Sequence, residues 1–459
     1  MARECDVIVV GMGPGGEEVA GRLAQEGLDV VGVEAELLGG ECPYWACVPS
    51  KMIVRAGNVL AEVGRSPGMA GPARAEPDFS LVAARIRDEA TTDWDDASAV
   101  ERFTGKGGTF VRARGRIVGP GQVEAGGETY SARRAVVVAT GSGPMVPPVE
   151  GLEGTPYWTN REAISTPEAP GSLLVLGGGA VGVELAQGFS RFGTEVTVVE
   201  ASERLVPPEE PESAALLERV LDAEGVTVRT GARASAVRHS GDTFTLTLEN
   251  GEELSAQRLL VATGRRPRLK SLGLDTLGLD PEARALHVDA HMRAAPGVWA
   301  VGDVTGEGAF THMAMYQADI AVRSVLGQEG PGADYSAVSR VTFTDPEIGA
   351  VGLTEQAARD KGLSVRTGQS EVPSSTRGWI HKAGNDGLVK LVEDADRGVL
   401  VGATSAGPMG GEVLYGLAVA VRAAVPVSLL RNMIYAYPTF HRGVLDALAD
   451  LETAAEKPG

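Results

Sequence analysis

A chain of 459 residues holds about three domains at roughly 150 residues each and is long enough to bury several cores. Hydrophobic residues at 43% and charged residues at 22% are ordinary for a globular protein, which excludes disorder as the main state. With 42 Lys+Arg against 61 Asp+Glu the formal net charge is −19, so the surface repels phosphate backbones and anionic lipid, and neither nucleic acid nor membrane is an expected partner.

Three cysteines in so long a chain point to a reducing, cytoplasmic setting in which a paired cysteine is catalytic rather than a structural staple. The Ala/Val-rich stretch LYGLAVAVRAAVPVSLL is broken by Arg422 and Pro426, so no transmembrane helix is predicted. Cys5 to Val10 is continuously apolar and flows into glycines, which reads as a first strand covered on both faces, with Cys5 in the core.

The fingerprint Gly11-Met12-Gly13-Pro14-Gly15-Gly16 follows, then a helix over EEVAGRLAQEG and a second strand, Val30 to Glu34, ending in an acid. Gly11 serves the tight turn, Gly13 lets backbone approach a pyrophosphate, and Gly16 lets helix pack on strand; Glu34 accepts from a ribose hydroxyl. The grammar returns as the strand Ser172 to Leu176, a turn carrying Gly177, Gly179 and Gly182, a helix, and a strand ending at Glu200. A carboxylate there suits the free 2′-hydroxyl of NADH and opposes the 2′-phosphate of NADPH. Arg204 either pairs with such a phosphate or is a solvated surface charge. The strand endings AVVVATGS and RLLVATGRRP repeat as well, and VWAVGDV reads as a strand ending at Gly302-Asp303 before a helix from about Phe310 to Val325. The Gly/Pro-rich GSGPMVPPVEGLEGTPYW reads as a linker.

Between the first nucleotide unit and the rest stands GGECPYWACVPSK, Gly39 to Lys51. In a regular helix residues five apart are offset by about 7.5 Å, so a bridge from Cys42 to Cys47 needs a distorted turn, which Pro43 and Pro49 help to provide. At a helix N-terminus the thiolate is stabilised and the pair is reactive; the alternative is two buried, unpaired cysteines. Tyr44-Trp45 forms either an aromatic wall beside the pair or core packing. No metal site is expected, since no second Cys/His cluster has ligand spacing.

With these residues the chain resembles the FAD-dependent pyridine nucleotide-disulfide oxidoreductases, the group of dihydrolipoamide dehydrogenase, glutathione reductase and mercuric reductase, over essentially its whole length. The family's GGxCxxxxCxPSK is matched at Gly39 to Lys51, its ATG motifs at 139–141 and 262–264, and its GD at Gly302-Asp303. The resemblance implies an α/β fold: two Rossmann-like domains, for FAD (1–146 and 267–334) and NAD(P) (147–266), and an α+β dimerisation domain (335–459). It further implies that FAD takes Glu34, Thr140, Gly141, Ser142 and Asp303, with Phe310 to Ala314 near the isoalloxazine, and assigns Gly115, Gly264, Thr311, Met313 and Ala314 to the cofactor sites. Lys51 would lie beside flavin N5 with Glu184 as its ion-pair partner, Cys47 would face the flavin and Cys42 the substrate. A homodimer would lend residues across its interface.

One departure bears on function. Where the family's reductases carry HPTxxE, this chain has Tyr437-Pro438-Thr439-Phe440-His441-Arg442. An unperturbed tyrosine titrates near 10, about 3.5 units above histidine, and is a poor base at neutral pH. His441 is a candidate relocated base. The leading expectation is therefore electron flow from NAD(P)H through FAD to a Cys42–Cys47 disulfide and on to a small-molecule acceptor. The alternatives are a quinone or oxygen reductase acting straight from reduced FAD, and a non-turning-over flavoprotein serving as redox sensor or partner subunit.

Overall fold

The computed structural model describes residues 2–455. These separate into two compact units, one of residues 2–50, 83–145 and 264–335, the other of residues 51–82, 146–263 and 336–455.

Among the described residues, the first unit is built on an eight-stranded sheet. The strand Arg3–Val10 lies between Val30–Glu34 and Glu128–Val138, parallel to both, and Thr109–Arg112 and Val298–Ala300 extend the parallel set on either side. Continuous apolar runs suit strands buried on both faces. Val7 and Val9 pack into one core with the helices Pro14–Gln25 and Thr311–Leu326, while Ile8 and Val10 face a second core with Ile117, Leu269 and Leu274. A register shift between Cys5 and Val7 turns Cys5 onto the Ile8 side. There it is fully buried as expected, and burial, reinforced by Asp29, pushes its thiol up to about 11.

In the second unit the strands Thr227–Arg229, Glu195–Val199, Ser172–Leu176 and Arg258–Val261 form a parallel sheet. It shares a core with an antiparallel sheet through Leu174, Val199, Phe244, Leu246 and Val261. The C-terminal segment is a five-stranded antiparallel sheet carrying the helices Gly410–Arg422 and Gly443–Ala455. Its core joins Val389 and Leu391 to Leu414, Leu417, Ala447 and Leu448. Among the described residues no helix is long and apolar enough to cross a membrane.

Three sequence expectations shift locally. The stretch read as a linker begins as a strand, Ser142–Pro144, antiparallel to Arg265–Pro267. A two-stranded ribbon tolerates proline because its outer N–H positions need no ladder partner, so composition alone conceals it. The strand expected to reach Gly302-Asp303 ends at Ala300, because Gly302 at φ +79 starts a 3-10 turn, Gly302–Thr305. Glu195–Val199 stops one residue before Glu200.

Candidate functional site

The two glycine fingerprints share one stereochemical plan. Gly11 has φ +95, and a Cβ there would collide with the Ala139 carbonyl; one at Gly16 would collide with the Gly11 carbonyl. A Cβ at Gly13 meets nothing within 4 Å. The outer glycines therefore answer internal packing, and Gly13 keeps the start of helix Pro14–Gln25 open on the side where its unsatisfied N–H groups favour an anion. In the second unit Gly177 (φ +113) faces the Ala262 carbonyl, Gly182 faces the Gly177 carbonyl, and Gly179 again meets nothing within 4 Å. The acids repeat too. Glu34 accepts from Met12 N and Glu36 N, both at 2.8 Å; Glu200 accepts from Gly178 N and Ser202 N, both at 2.7 Å. Each carboxylate is aimed by backbone at the strand end, where a nucleotide ribose is recognised. An open middle glycine, a helix N-terminus and a fixed acid, twice over, fit two dinucleotides. Arg204 is not the solvated charge expected as one alternative: its guanidinium donates to the Pro207 carbonyl at 2.9 Å, and its buried Nε has no hydrogen-bond partner among the described residues.

A polar network in the first unit joins three of the expected cofactor residues. Ser142 Oγ donates to Asp303, and Arg265 donates to the Ser142 hydroxyl and carbonyl, both at 2.8 Å. Thr140 Oγ1 donates to the Arg268 carbonyl at 3.2 Å, and Gly141 takes φ +63. Gly302 N donates to the buried Gln317 at 2.7 Å, which fixes the turn carrying Asp303. Gly115 packs so closely that a Cβ would stand 2.8 Å from Val10 Cγ1, and Gly264 needs its glycine for φ +115. Met313 and Ala314 are buried. Sequence reasoning missed Arg265, Arg268 and Glu41: Glu41 lies 3.7 Å from Arg265 and 3.5 Å from Arg268. The run Arg265-Arg266-Pro267-Arg268 directly after Gly264 was the available signal.

The cysteine segment lies against the first fingerprint. Gly39 N donates to the Met12 carbonyl at 2.8 Å, and a Cβ on Gly40 would stand 2.8 Å from Gly13 Cα. The helix Glu41–Tyr44 holds Cys42, the chain breaks at Trp45 and Ala46, and a new helix, Cys47–Arg65, starts at the second cysteine. That break is the distortion the spacing demands. Cys42 is half-buried and Cys47 exposed, which removes the alternative of two buried cysteines. Cys47 Sγ is 3.5 Å from Thr311 Oγ1, the first residue of helix Thr311–Leu326. Two helix starts thus favour negative charge on this sulfur. The aromatic pair divides: Tyr44 is core, whereas Trp45 stacks on Trp94 with centroids 5.3 Å apart and planes 20° from parallel.

In the second unit Lys51 Nζ donates to Glu184 at 2.6 Å and lies 4.7 Å from the centroid of the Phe343 ring. Glu184, on helix Ala180–Arg191, also accepts from Phe343 N at 2.9 Å. The expected ion pair is thus formed. Tyr437 is exposed and donates to Thr376 Oγ1 at 3.1 Å, with the Arg442 guanidinium 5.6 Å from its ring centroid. His441 is exposed too, its ring 6.4 Å from that of Tyr435.

Residues 5–318 match the family described as pyridine nucleotide-disulphide oxidoreductase, and 338–448 match the dimerisation domain of the same group. A dihydrolipoyl dehydrogenase from Thermus scotoductus is 36% identical over 98% of both chains. A mercuric reductase from Bacillus cereus is 29% identical over 98% of this chain and 72% of its own length. Among solved structures, LpdA from Mycobacterium tuberculosis superposes with a TM-score of 0.85 at 26% identity, covering 98% of this chain and 100% of that one. RclA from Escherichia coli, a flavoprotein disulfide reductase, has the same fold, with a TM-score of 0.85 at 24% identity over 97% of this chain and 99% of its own. The paired fingerprints, the cysteine helix break and these likenesses agree: the chain belongs to the pyridine nucleotide-disulfide oxidoreductases, FAD-dependent enzymes that carry electrons from NAD(P)H to a disulfide.

Proposed function

We propose that Cys42 and Cys47 relay electrons from NADH to a small-molecule acceptor, with Cys47 on the flavin side and Cys42 meeting the acceptor. The observation that carries this reading is Cys47 at the start of a 19-residue helix, 3.5 Å from Thr311 Oγ1. A sulfur in that field holds negative charge when the pair opens, and the exposed flank of the helix break admits an acceptor. FAD, when bound, supplies acceptance of a hydride from the nicotinamide and release of two electrons. The chain's residues do the rest. Gly11, Gly13, Gly16 and Glu34 seat the adenosine half of FAD; Ser142 and Asp303, aligned by Arg265, orient the ribityl chain; Gly177, Gly179, Gly182 and Glu200 seat NADH. Lys51, oriented by Glu184, would supply a positive charge to the flavin.

On this reading 1–146 with 267–334 form the FAD-binding domain, 147–266 the NAD-binding domain and 335–459 the interface of a cytoplasmic homodimer. A second reading, direct reduction of quinones or oxygen with the cysteines as bystanders, draws on Arg442 over Tyr437 in the segment where the resemblance implies a carboxylate-oriented histidine. An anaerobic titration with NADH, then NADPH, separates the two when protein thiols are counted alongside the flavin spectrum. Two new thiols per chain and a long-wavelength thiolate band before the flavin bleaches support the relay. Bleaching with no new thiols overturns it and points to quinones and oxygen.

A further inference from the structure

The segment Thr91 to Asp96 touches the cysteine motif on both sides of Cys42. Asp96 is buried, accepts from Leu38 N at 2.6 Å and holds Arg112 through both oxygens at 2.6 Å. Leu38 directly precedes Gly39-Gly40-Glu41-Cys42. Beyond Cys42, Trp94 Nε1 donates to the Tyr44 carbonyl at 3.3 Å, and the Trp94 ring stacks on Trp45, one of the two residues in the helix break.

The turn that delivers Trp94 is strained. Thr92, Asp93 and Trp94 have φ +51, +55 and +56, three successive non-glycine residues in the left-handed region, directly after a π-helical turn, Ile86–Ala90, and Thr91. Local bonds over-determine it: Thr91 Oγ1 donates to the Arg87 carbonyl at 3.1 Å and accepts from Trp94 N at 3.3 Å, and Asp95 N donates to the Thr91 carbonyl at 3.1 Å. Backbone strain of this kind persists where a surrounding structure enforces it, and it gathers at functional sites.

We propose that Trp94 is a positioning residue for the redox pair: by stacking on Trp45 it fixes the helix break and so sets how readily Cys42 and Cys47 close to a disulfide. The proposal rests on those cysteines being the enzyme's relay. Closure joins the two sulfurs and gives up two electrons and two protons; reduced dithiothreitol returns both and leaves as its cyclic disulfide. A break held in one geometry raises the effective concentration of one thiol for the other, so loosening it favours the open dithiol.

The test uses the flavin-loaded enzyme equilibrated anaerobically in dithiothreitol redox buffers, with the open pair trapped by alkylation and read by mass. Trp94→Leu, which keeps bulk but neither ring face nor donor, is expected to shift the equilibrium about tenfold toward the dithiol, about 30 mV. Trp94→Phe, which keeps a ring but loses the donor, is expected to shift it roughly threefold. Wild-type equilibrium in Trp94→Leu overturns the proposal; should that variant not fold, wild-type equilibrium in Trp94→Phe does so. If dithiothreitol opens the pair with the expected Trp94 shifts while NADH never opens it, the proposed function fails and the positioning role stands. If NADH opens the pair and the variants match wild type, the positioning role fails alone.

Discussion

Glu184 is almost fully buried and divides its carboxylate between two partners: one oxygen accepts from Lys51 Nζ at 2.6 Å, the other from Phe343 N at 2.9 Å. It therefore fixes an ammonium from the helix Cys47–Arg65 and a backbone N–H from the C-terminal segment at once. Substitutions at 184 should separate these tasks. Glu184→Gln keeps an acceptor for Phe343 but loses the charge, and is expected to cost about 1–3 kcal/mol. Glu184→Leu strands both donors and should cost more. Thermal unfolding of the two variants checks the order, and equal losses would show that the backbone bond contributes nothing.

If NADH is seated as proposed, nucleotide choice turns on Glu200. Because Gly178 N and Ser202 N hold its carboxylate in place, a 2′-phosphate would meet a fixed negative charge. NADH should reduce the flavin at lower KM than NADPH, and Glu200→Gln should narrow that ratio about tenfold, or ~1.4 kcal/mol. Arg204→Ala should change the NADPH KM less than about twofold, a difference of ~0.4 kcal/mol, since the Arg204 guanidinium is bonded to the Pro207 carbonyl. Steady-state kinetics with both nucleotides decides the matter, and an unchanged ratio in Glu200→Gln would assign the selectivity elsewhere.

The parts of this site legible in the sequence are those whose physics is local. Gly16 is a glycine because the Gly11 carbonyl leaves no room for a Cβ, a constraint written within six residues, whereas Gly11 makes way for the distant Ala139 carbonyl and is legible only as part of the same glycine run. The strand-then-acid pattern marks Glu34 and Glu200, and the spacing of Cys42 and Cys47 with Pro43 and Pro49 beside them demands a distorted turn, which the structure shows as a helix break between Tyr44 and Cys47. What stayed hidden is long-range. Trp94 shows no pattern linking it to Trp45, Arg265 reaches Ser142 only once two distant strands pair, and Thr311 meets Cys47 only because two helices start near each other. The ribbon of Ser142–Pro144 with Arg265–Pro267 was concealed for the same reason, its halves looking like turn material when read singly.

Lys390 gives the second unit a pH signature. It is buried on the five-stranded sheet and bonds Glu210 at 3.0 Å, Glu212 at 2.8 Å and Glu355 at 3.0 Å. Burial works against its charge, but the three carboxylates outweigh it and raise its pKa. Burial would raise Glu355, yet Arg359 and Lys390 hold it below its ordinary value of 4.5. Glu355, depressed in the folded state, contributes stability above about 4.5 that is lost as pH falls through its folded value; Lys390, elevated, contributes stability below about 10.5 that is lost only at higher pH. Unfolding by urea should therefore show stability falling on acidification below about pH 4.5. Lys390→Met leaves three carboxylates facing one another and should cost about 3–5 kcal/mol at pH 7, part of which returns on acidification as they protonate. Parallel pH profiles for the variant and wild type would refute this account of the cluster.

When the opened pair meets an acceptor, protons must leave the thiols. Tyr437 offers a hydroxyl already donated to Thr376, and Arg442 lies over its ring, so these two residues do not supply an imidazole held by a carboxylate. His441 is exposed, with its ring beside that of Tyr435. Reoxidation of the NADH-reduced enzyme by a disulfide acceptor should accordingly lack an inflection near the ordinary histidine value of about 6.5. The rate should instead rise with pH as the attacking thiol ionises, toward about 8.5. His441→Ala should leave that profile in place, and Tyr437→Phe should change the rate less than about threefold, the worth of one exposed hydrogen bond. Stopped-flow reoxidation between pH 5.5 and 9 gives the answer, with the pH range set by those two ordinary values. A step near 6.5 that vanishes in His441→Ala would identify His441 as a relocated base and restore ordinary dithiol–disulfide chemistry.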